Sequence, residues 1–229
     1  LDDVIGSISK GDCIVLCGES GCGKSTLLRC LNHLIPEFYD GIFNGYILVN
    51  SNNIENKNIG EVGELISSVF QDPRSQFFTT TTDEEIAFGL QTICKSRYEI
   101  KQRVEEVYAE LDIEELKGKS VFELSSGQKQ KIAIASIYAM NPKVLILDEP
   151  TNGLDLETKC NLVEVLKKIK QDEDHTIVIT THDLEFLLSV ADECVVMDRG
   201  KIIKSINLDN EKFESSYKYY KDSFLGLEK

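Results

Sequence analysis

Apolar residues gather along this chain in two textures, short continuous runs and stripes spaced three and four apart. Three runs, Cys13–Cys17, Val144–Leu147 and Thr176–Thr181, are rich in β-forming residues and predict buried central strands. Cys194–Met197 predicts a fourth, followed by a turn at Asp198-Arg199-Gly200 and a short run Lys201–Ile206. Helical patterns separate them. From Asp83 to Met140 the spacing is helical, with Ile100, Val104, Val107, Tyr108 and Leu111 on one apolar face. Pro142 closes the next helix ahead of the strand at Val144. Between Gly41 and Phe70 the texture changes. Tyr46–Asn50 and Leu65–Phe70 flank an Asn-rich stretch, Ser51–Asn58, which predicts a small antiparallel flap with an exposed, solvated loop.

Strands alternating with helices predict an α/β fold with a mainly parallel sheet. The core is expected at about 1–72 and 142–206, with a helical lobe inserted at about 73–141 and a C-terminal helical segment at about 207–229. No repeat or low-complexity linker divides the 229 residues, so a single domain is expected. The chain opens at Leu1, without Met and close to its first core strand, which reads as a fragment of a longer protein.

Composition narrows the function classes. A net charge of −14 argues against a broad nucleic-acid surface and against adsorption on anionic lipid. Most of those carboxylates read as solvated faces. The seven cysteines form no C-x-x-C pair, which suggests reduced thiols in a cytosolic protein. No apolar run approaches the roughly 18 residues of a membrane span, and no signal peptide is visible.

The chemistry is concentrated in a few segments. Gly18-Glu19-Ser20-Gly21-Cys22-Gly23-Lys24-Ser25-Thr26 matches the P-loop pattern between a predicted strand and a predicted helix. Its glycines let backbone N–H groups turn towards phosphates, Lys24 supplies a point charge, and the Ser25 hydroxyl suits Mg²⁺. Cys22 fills a permissive position of the loop. Val144-Leu145-Ile146-Leu147-Asp148-Glu149 is an apolar strand ending in two acids. Asp148 stands where Mg²⁺ coordination beside a P-loop needs an acid, and Glu149 is the natural general base for an attacking water. Leu124-Ser125-Ser126-Gly127-Gln128 precedes a helix expected over Lys129–Met140. Ser125 and Gly127 offer donors for an anion there, although a plain Ser N-cap gives the same pattern.

In this order, the P-loop, Gln71, Leu124–Gln128, Leu145–Pro150, Asn152-Gly153-Leu154-Asp155 and Thr181-His182-Asp183 resemble the nucleotide-binding domain of ABC ATPases over essentially the whole chain. The resemblance implies a RecA-like P-loop NTPase core. Gly18 to Thr26 would be the Walker A loop, and Asp148 and Glu149 the Walker B metal acid and catalytic base. Gln71 would contact Mg²⁺ and the attacking water. Ser125, Gly127 and Gln128 would cap the γ-phosphate of ATP held by an opposite subunit. Asp155 would be the acid crossing the dimer interface, and His182 the switch histidine. Ser126 replaces the first glycine of the family's usual LSGGQ, reducing backbone freedom there. The family's adenine-stacking aromatic lies upstream of the first strand. Here no Phe or Tyr precedes Phe38, so it is either truncated or replaced by contact without stacking.

Gln71-Asp72-Pro73-Arg74-Ser75-Gln76-Phe77-Phe78 is similar to the corresponding loop of energy-coupling-factor (ECF) ATPases, with Arg74 where Asp is usual. Glu85-Ile86-Ala87-Phe88-Gly89 is similar to the same group. That resemblance implies an ATPase at the cytoplasmic face of the membrane, powering uptake of a vitamin or transition-metal ion. Its partners would be an integral membrane subunit and a second ABC domain in a head-to-tail dimer. Phe77 and Phe78 are either core of the lobe or a docking point for that membrane subunit. A soluble ABC ATPase of translation or DNA maintenance is the alternative class. The signature follows Gln71 by only about fifty residues, too few for a long coiled-coil insertion.

Overall fold

The computed structural model describes residues 1–72, 75–93, 96–182 and 184–208. Strand β1 (Cys13–Cys17) leads through a loop into helix α1 (Lys24–Leu31), followed by a short turn α2 (Leu34–Glu37). A hairpin of β2 (Leu48–Val49) and β3 (Asn52–Asn53) precedes α3 (Ile59–Gly63) and β4 (Ile66–Val69). Helices α4 (Thr82–Thr92), α5 (Arg97–Leu111) and α6 (Ser126–Ala139) come next. The chain then runs through β5 (Val144–Asp148), α7 (Leu156–Gln171), β6 (Thr176–Thr180), α8 (Leu184–Leu187), β7 (Glu193–Asp198) and β8 (Lys201–Asn207).

The main sheet has the order β4-β5-β6-β1-β7-β8, parallel except for β8. Its strands are apolar on both faces because both are covered, and the two-residue period sorts side chains between two cores. Val15, Leu145, Ile177 and Cys194 point to the core shared with the helical lobe and α7. Ile14, Ile146, Val178 and Val195 point to the core shared with α1 and the hairpin. The expected face of α5 is buried at Val104, Val107, Tyr108 and Leu111, with Ile100 half-buried against them. Truncating fully buried Leu111 to Ala would cost about 2–5 kcal/mol.

One expectation needs correction. Leu65–Phe70 does not belong to an antiparallel flap, because Ile66–Val69 pairs in parallel with Val144–Leu147 as the sheet's edge strand β4. Ser67 and Ser68 interrupt its apolar pattern, and the pairing with a strand some eighty residues away leaves no local trace. The antiparallel pair instead joins the Tyr46–Asn50 run to the start of the Asn-rich stretch, Leu48 opposite Asn53 and Val49 opposite Asn52. Asn50 and Ser51 take φ of 48° and 64°, as a two-residue hairpin turn with both φ positive requires. Asn58, read as solvated loop, caps α3 in a reciprocal capping box with Glu61. The C-terminal helical segment expected at about 207–229 falls on residues 209–229, outside the described residues, just after β8 ends at Asn207. Pro73, Arg74 and Asp183 also lie outside them.

Register explains how this fold builds a site. Leu16 pairs with Thr180, and Thr180 with Asp148 on its other side, so three strand ends share one row. Val69 lies opposite Leu147 on the next strand. The P-loop, Gln71, Glu149 and His182 therefore all leave the sheet at its carboxyl edge, where open α/β sheets bind ligands.

Candidate active site

Residues 18–23 form the turn between β1 and α1. A Cβ on Gly18 would lie 2.2 Å from the Met197 carbonyl oxygen, so only glycine fits where the loop crosses β7. Gly23, at φ 112°, is the N-cap of α1 and provides no capping side chain, and the first turn holds no acid. The leading N–H groups of α1 are thus left for an anion, the condition for phosphate binding at a helix start. Lys24 is buried. Its Nζ donates to the carbonyls of Gly18 (2.9 Å) and Glu19 (3.1 Å), lying along the inside of the loop. Ser25 and Thr26 are exposed beside it, as are Glu19, Ser20 and Gly21, whereas Cys22 is buried with its thiol 3.9 Å from Lys24 Nζ. Gly200 N–H donates to Cys22 O at 2.8 Å and ties the loop to the β7–β8 turn.

At the end of β5, Asp148 Oδ1 accepts a 2.5 Å hydrogen bond from the Thr180 hydroxyl. Glu149 takes a left-handed φ of 50°, rare for a residue with a side chain. Its carboxylate is the meeting point of the site. Oε1 lies 2.7 Å from His182 Nε2, and Oε2 accepts from Gln71 Nε2 (3.2 Å) and Asn152 Nδ2 (3.3 Å). Gln71, Glu149 and His182, expected from three distant segments, are thus brought together.

The signature residues bond within their own segment. Ser125 caps α6, which begins at Ser126 and so takes in the signature itself, three residues earlier than its pattern predicts. Ser125 Oγ accepts from Gln128 N–H (3.3 Å) and Gln128 Oε1 accepts from Ser125 N–H (3.0 Å), a complete capping box. Ser126 is exposed within the first helical turn and has no positive φ, so glycine's freedom is not needed there. Gly127 is different, since a Cβ on it would meet Thr158 Cγ2 at 2.0 Å. Thr158 also donates its N–H to Asp155 Oδ1 at 2.8 Å, making Asp155 the cap of α7. That N–H, and then the Thr158 hydroxyl, hold the Asp155 carboxyl below its ordinary pKa. Among the described residues no hydrogen bond or ion pair joins Ser125, Gly127, Gln128 or Asp155 to the P-loop or to Glu149.

Residues 1–152 match the ABC transporter family. This chain belongs to that family. An ABC transporter ATP-binding protein of Treponema denticola is 43% identical over 208 residues, covering 91% of this chain and 42% of that protein. A Methanosarcina acetivorans relative is 37% identical, covering 93% and 34% respectively. The chain thus spans well under half the length of these relatives, although it spans 72% of PYRAB01300 from Pyrococcus abyssi at 38% identity. Among solved structures, cbiO1 from Clostridium perfringens, part of the ABC transporter complex cbiONQ, superposes with a TM-score of 0.81. It is 33% identical and the match covers 97% of this chain and 86% of that one. The ATP-binding cassette MJ0796, a dimer in a post-hydrolysis state bound to ADP and Pi, gives 0.75 at 25% identity, covering 90% and 89%.

The ABC ATPase domain carries one more shaped surface beside Gln71. A groove of about 280 Å³ is lined by Phe70, Phe77, Phe78, Phe88, Ile137 and Met140 among others. Phe78 is 73% exposed and stacks on Phe88 with ring centroids 4.9 Å apart, whereas Phe77 packs on the core. Glu85, buried, accepts from the Phe78 and Thr79 N–H groups and fixes this loop on α4. Among the described residues no helix is long and apolar enough to cross a membrane. Asn152, Thr158 and Thr180 are not among the expected site residues. Thr180 alone left a signal, a hydroxyl in an apolar strand two residues before His182.

Proposed function

We propose that this ABC domain hydrolyses ATP to drive a membrane importer of the ECF type, one that takes up a vitamin or a transition-metal ion. The observation that carries the reading is the likeness to cbiO1 over nearly the whole chain, together with the aromatic groove beside Gln71. The domain is one ABC unit at the cytoplasmic face of the membrane, held there by an integral membrane subunit. An exposed, preformed groove between sheet and lobe suits a partner's amphipathic helix.

Hydrolysis follows from the residues that converge on Glu149. The uncapped start of α1, the P-loop N–H groups and Lys24 hold the phosphates of ATP. Mg²⁺, when bound, neutralises phosphate charge and would be held by Ser25, Asp148 and Gln71, an all-oxygen donor set suited to that hard cation. Glu149 takes the proton of the attacking water, and His182 and Gln71 fix the direction of its carboxylate. Among the described residues Ser125, Gly127, Gln128 and Asp155 make no hydrogen bond or ion pair to the P-loop or Glu149, which supports a site completed by a second ABC domain packed head to tail. Each site then pairs one domain's P-loop with the other's signature. ATP favours the closed pair, and hydrolysis with product release reopens it and moves the membrane subunit.

The test is to purify the full-length protein from membranes of its native host with its partners and identify them. Recovery with an integral membrane subunit and a substrate-binding membrane protein supports the reading. Recovery with ribosomes or DNA and no membrane protein overturns it.

A further inference from the structure

Thr180 ends β6, between the P-loop strand and the strand that carries both acids. It is fully buried in a strand otherwise made of Thr176, Ile177, Val178 and Ile179. A buried hydroxyl must be paired, and this one is paired twice. It donates to Asp148 Oδ1 at 2.5 Å and accepts from the Glu149 backbone N–H at 2.9 Å. The same N–H also lies 3.1 Å from the Thr180 carbonyl oxygen. A hydroxyl has one proton and two lone pairs, so both bonds can form together in one orientation.

The consequence is geometric. Asp148 is a short side chain with two torsions, and the Thr180 hydroxyl on its Oδ1 restrains both. Glu149 must hold a left-handed φ of 50°, which is strained for a residue with a Cβ. Its N–H is the group that such a backbone has to anchor, and Thr180 supplies both acceptors. We propose that Thr180 is a positioning residue that locks the metal acid Asp148 and the backbone of the base Glu149 into one unit. It touches neither nucleotide nor water and acts through these two acids. The proposal rests on the roles given above to Asp148 and Glu149.

The experiment uses the full-length protein with Thr180→Val, which keeps the branched shape and removes the hydroxyl, and Thr180→Ser, which restores it. Thr176→Val, a buried threonine at the far end of the same strand, controls for general loss of strand polarity. Three quantities are read: turnover at saturating ATP, the Mg²⁺ concentration giving half-maximal turnover, and binding of a fluorescent ATP analogue with Mg²⁺ and with EDTA. Losing a hydrogen bond to a charged group should lower turnover about tenfold or more in Thr180→Val and raise the half-maximal Mg²⁺ by a similar factor. Binding in EDTA should be unchanged, and Thr180→Ser should recover most of the loss. If folded Thr180→Val has wild-type turnover and Mg²⁺ dependence, or if Thr180→Ser fails to rescue it, the proposal is overturned. Asp148→Asn separates the two readings. If it weakens Mg²⁺-dependent nucleotide binding while Thr180→Val does not, Thr180 alone loses its role. If Asp148→Asn leaves that binding intact, the metal assignment fails, and the proposal with it.

Discussion

Gly127 of the signature lies flat against the side chain of Thr158, so close that a Cβ would sit 2.0 Å from Thr158 Cγ2. The same threonine donates its N–H to Asp155. One residue of α7 therefore fixes both the start of α6 and the Asp155 side chain. Gly127→Ala should force α6 and α7 apart, costing about 1–3 kcal/mol as overpacking does and lowering turnover at least as strongly. Ser126→Gly, at an exposed helical position, should change turnover less than twofold while lowering stability by about 0.5–1 kcal/mol. Thermal melts with steady-state hydrolysis check both. Equal activity for Gly127→Ala and wild type would mean the close packing does not matter.

Glu149 gathers His182, Gln71 and Asn152 onto one carboxylate. Glu149→Gln should bind ATP, accumulate as the closed dimer, and lose turnover by a factor on the order of 10²–10⁴, the range of general-base catalysis. Size-exclusion chromatography with ATP and a phosphate-release assay measure the two effects. Wild-type turnover would remove Glu149 from the role of base.

The shared site proposed above predicts behaviour in dilution. The isolated domain should be largely monomeric without nucleotide, and its hydrolysis rate should rise more than linearly with concentration while the dimer is weak. Specific activity over a hundredfold dilution series tests this. A constant value from a demonstrated monomer contradicts a shared site.

Phe78 is the aromatic to test for docking, because Phe77 is packed on the core. Gln76 is a poor probe. Its side chain accepts from Phe70 N–H at 3.1 Å and donates to Ser68 O at 3.3 Å, bracing the turn after β4. Phe78→Ala should bind ATP like wild type and lose co-purification with the membrane subunit several-fold. Gln76→Ala should instead disturb Gln71 and hydrolysis. Full assembly and transport by Phe78→Ala would take this groove out of the interface.

The sequence by itself determined the fold class, the P-loop and the order of chemical residues. Each rests on local physics: a two-residue period for strands, glycines before a helix start, acids at the end of an apolar run. It also determined the α5 face, because a helix records its burial within its own spacing. Tertiary structure decided what depends on residues far apart in the chain. The edge strand Ile66–Val69 hides behind two serines and is defined by pairing with Val144–Leu147. Whether Ser126 or Gly127 must be small was settled by where α7 lies, since Gly127 packs on Thr158 while Ser126 is exposed. The partners of Thr180 and Asn152 likewise depend on the fold. A hydroxyl or an amide becomes specific only when its partner is in reach, and such partners are chosen by strand order rather than by sequence neighbours.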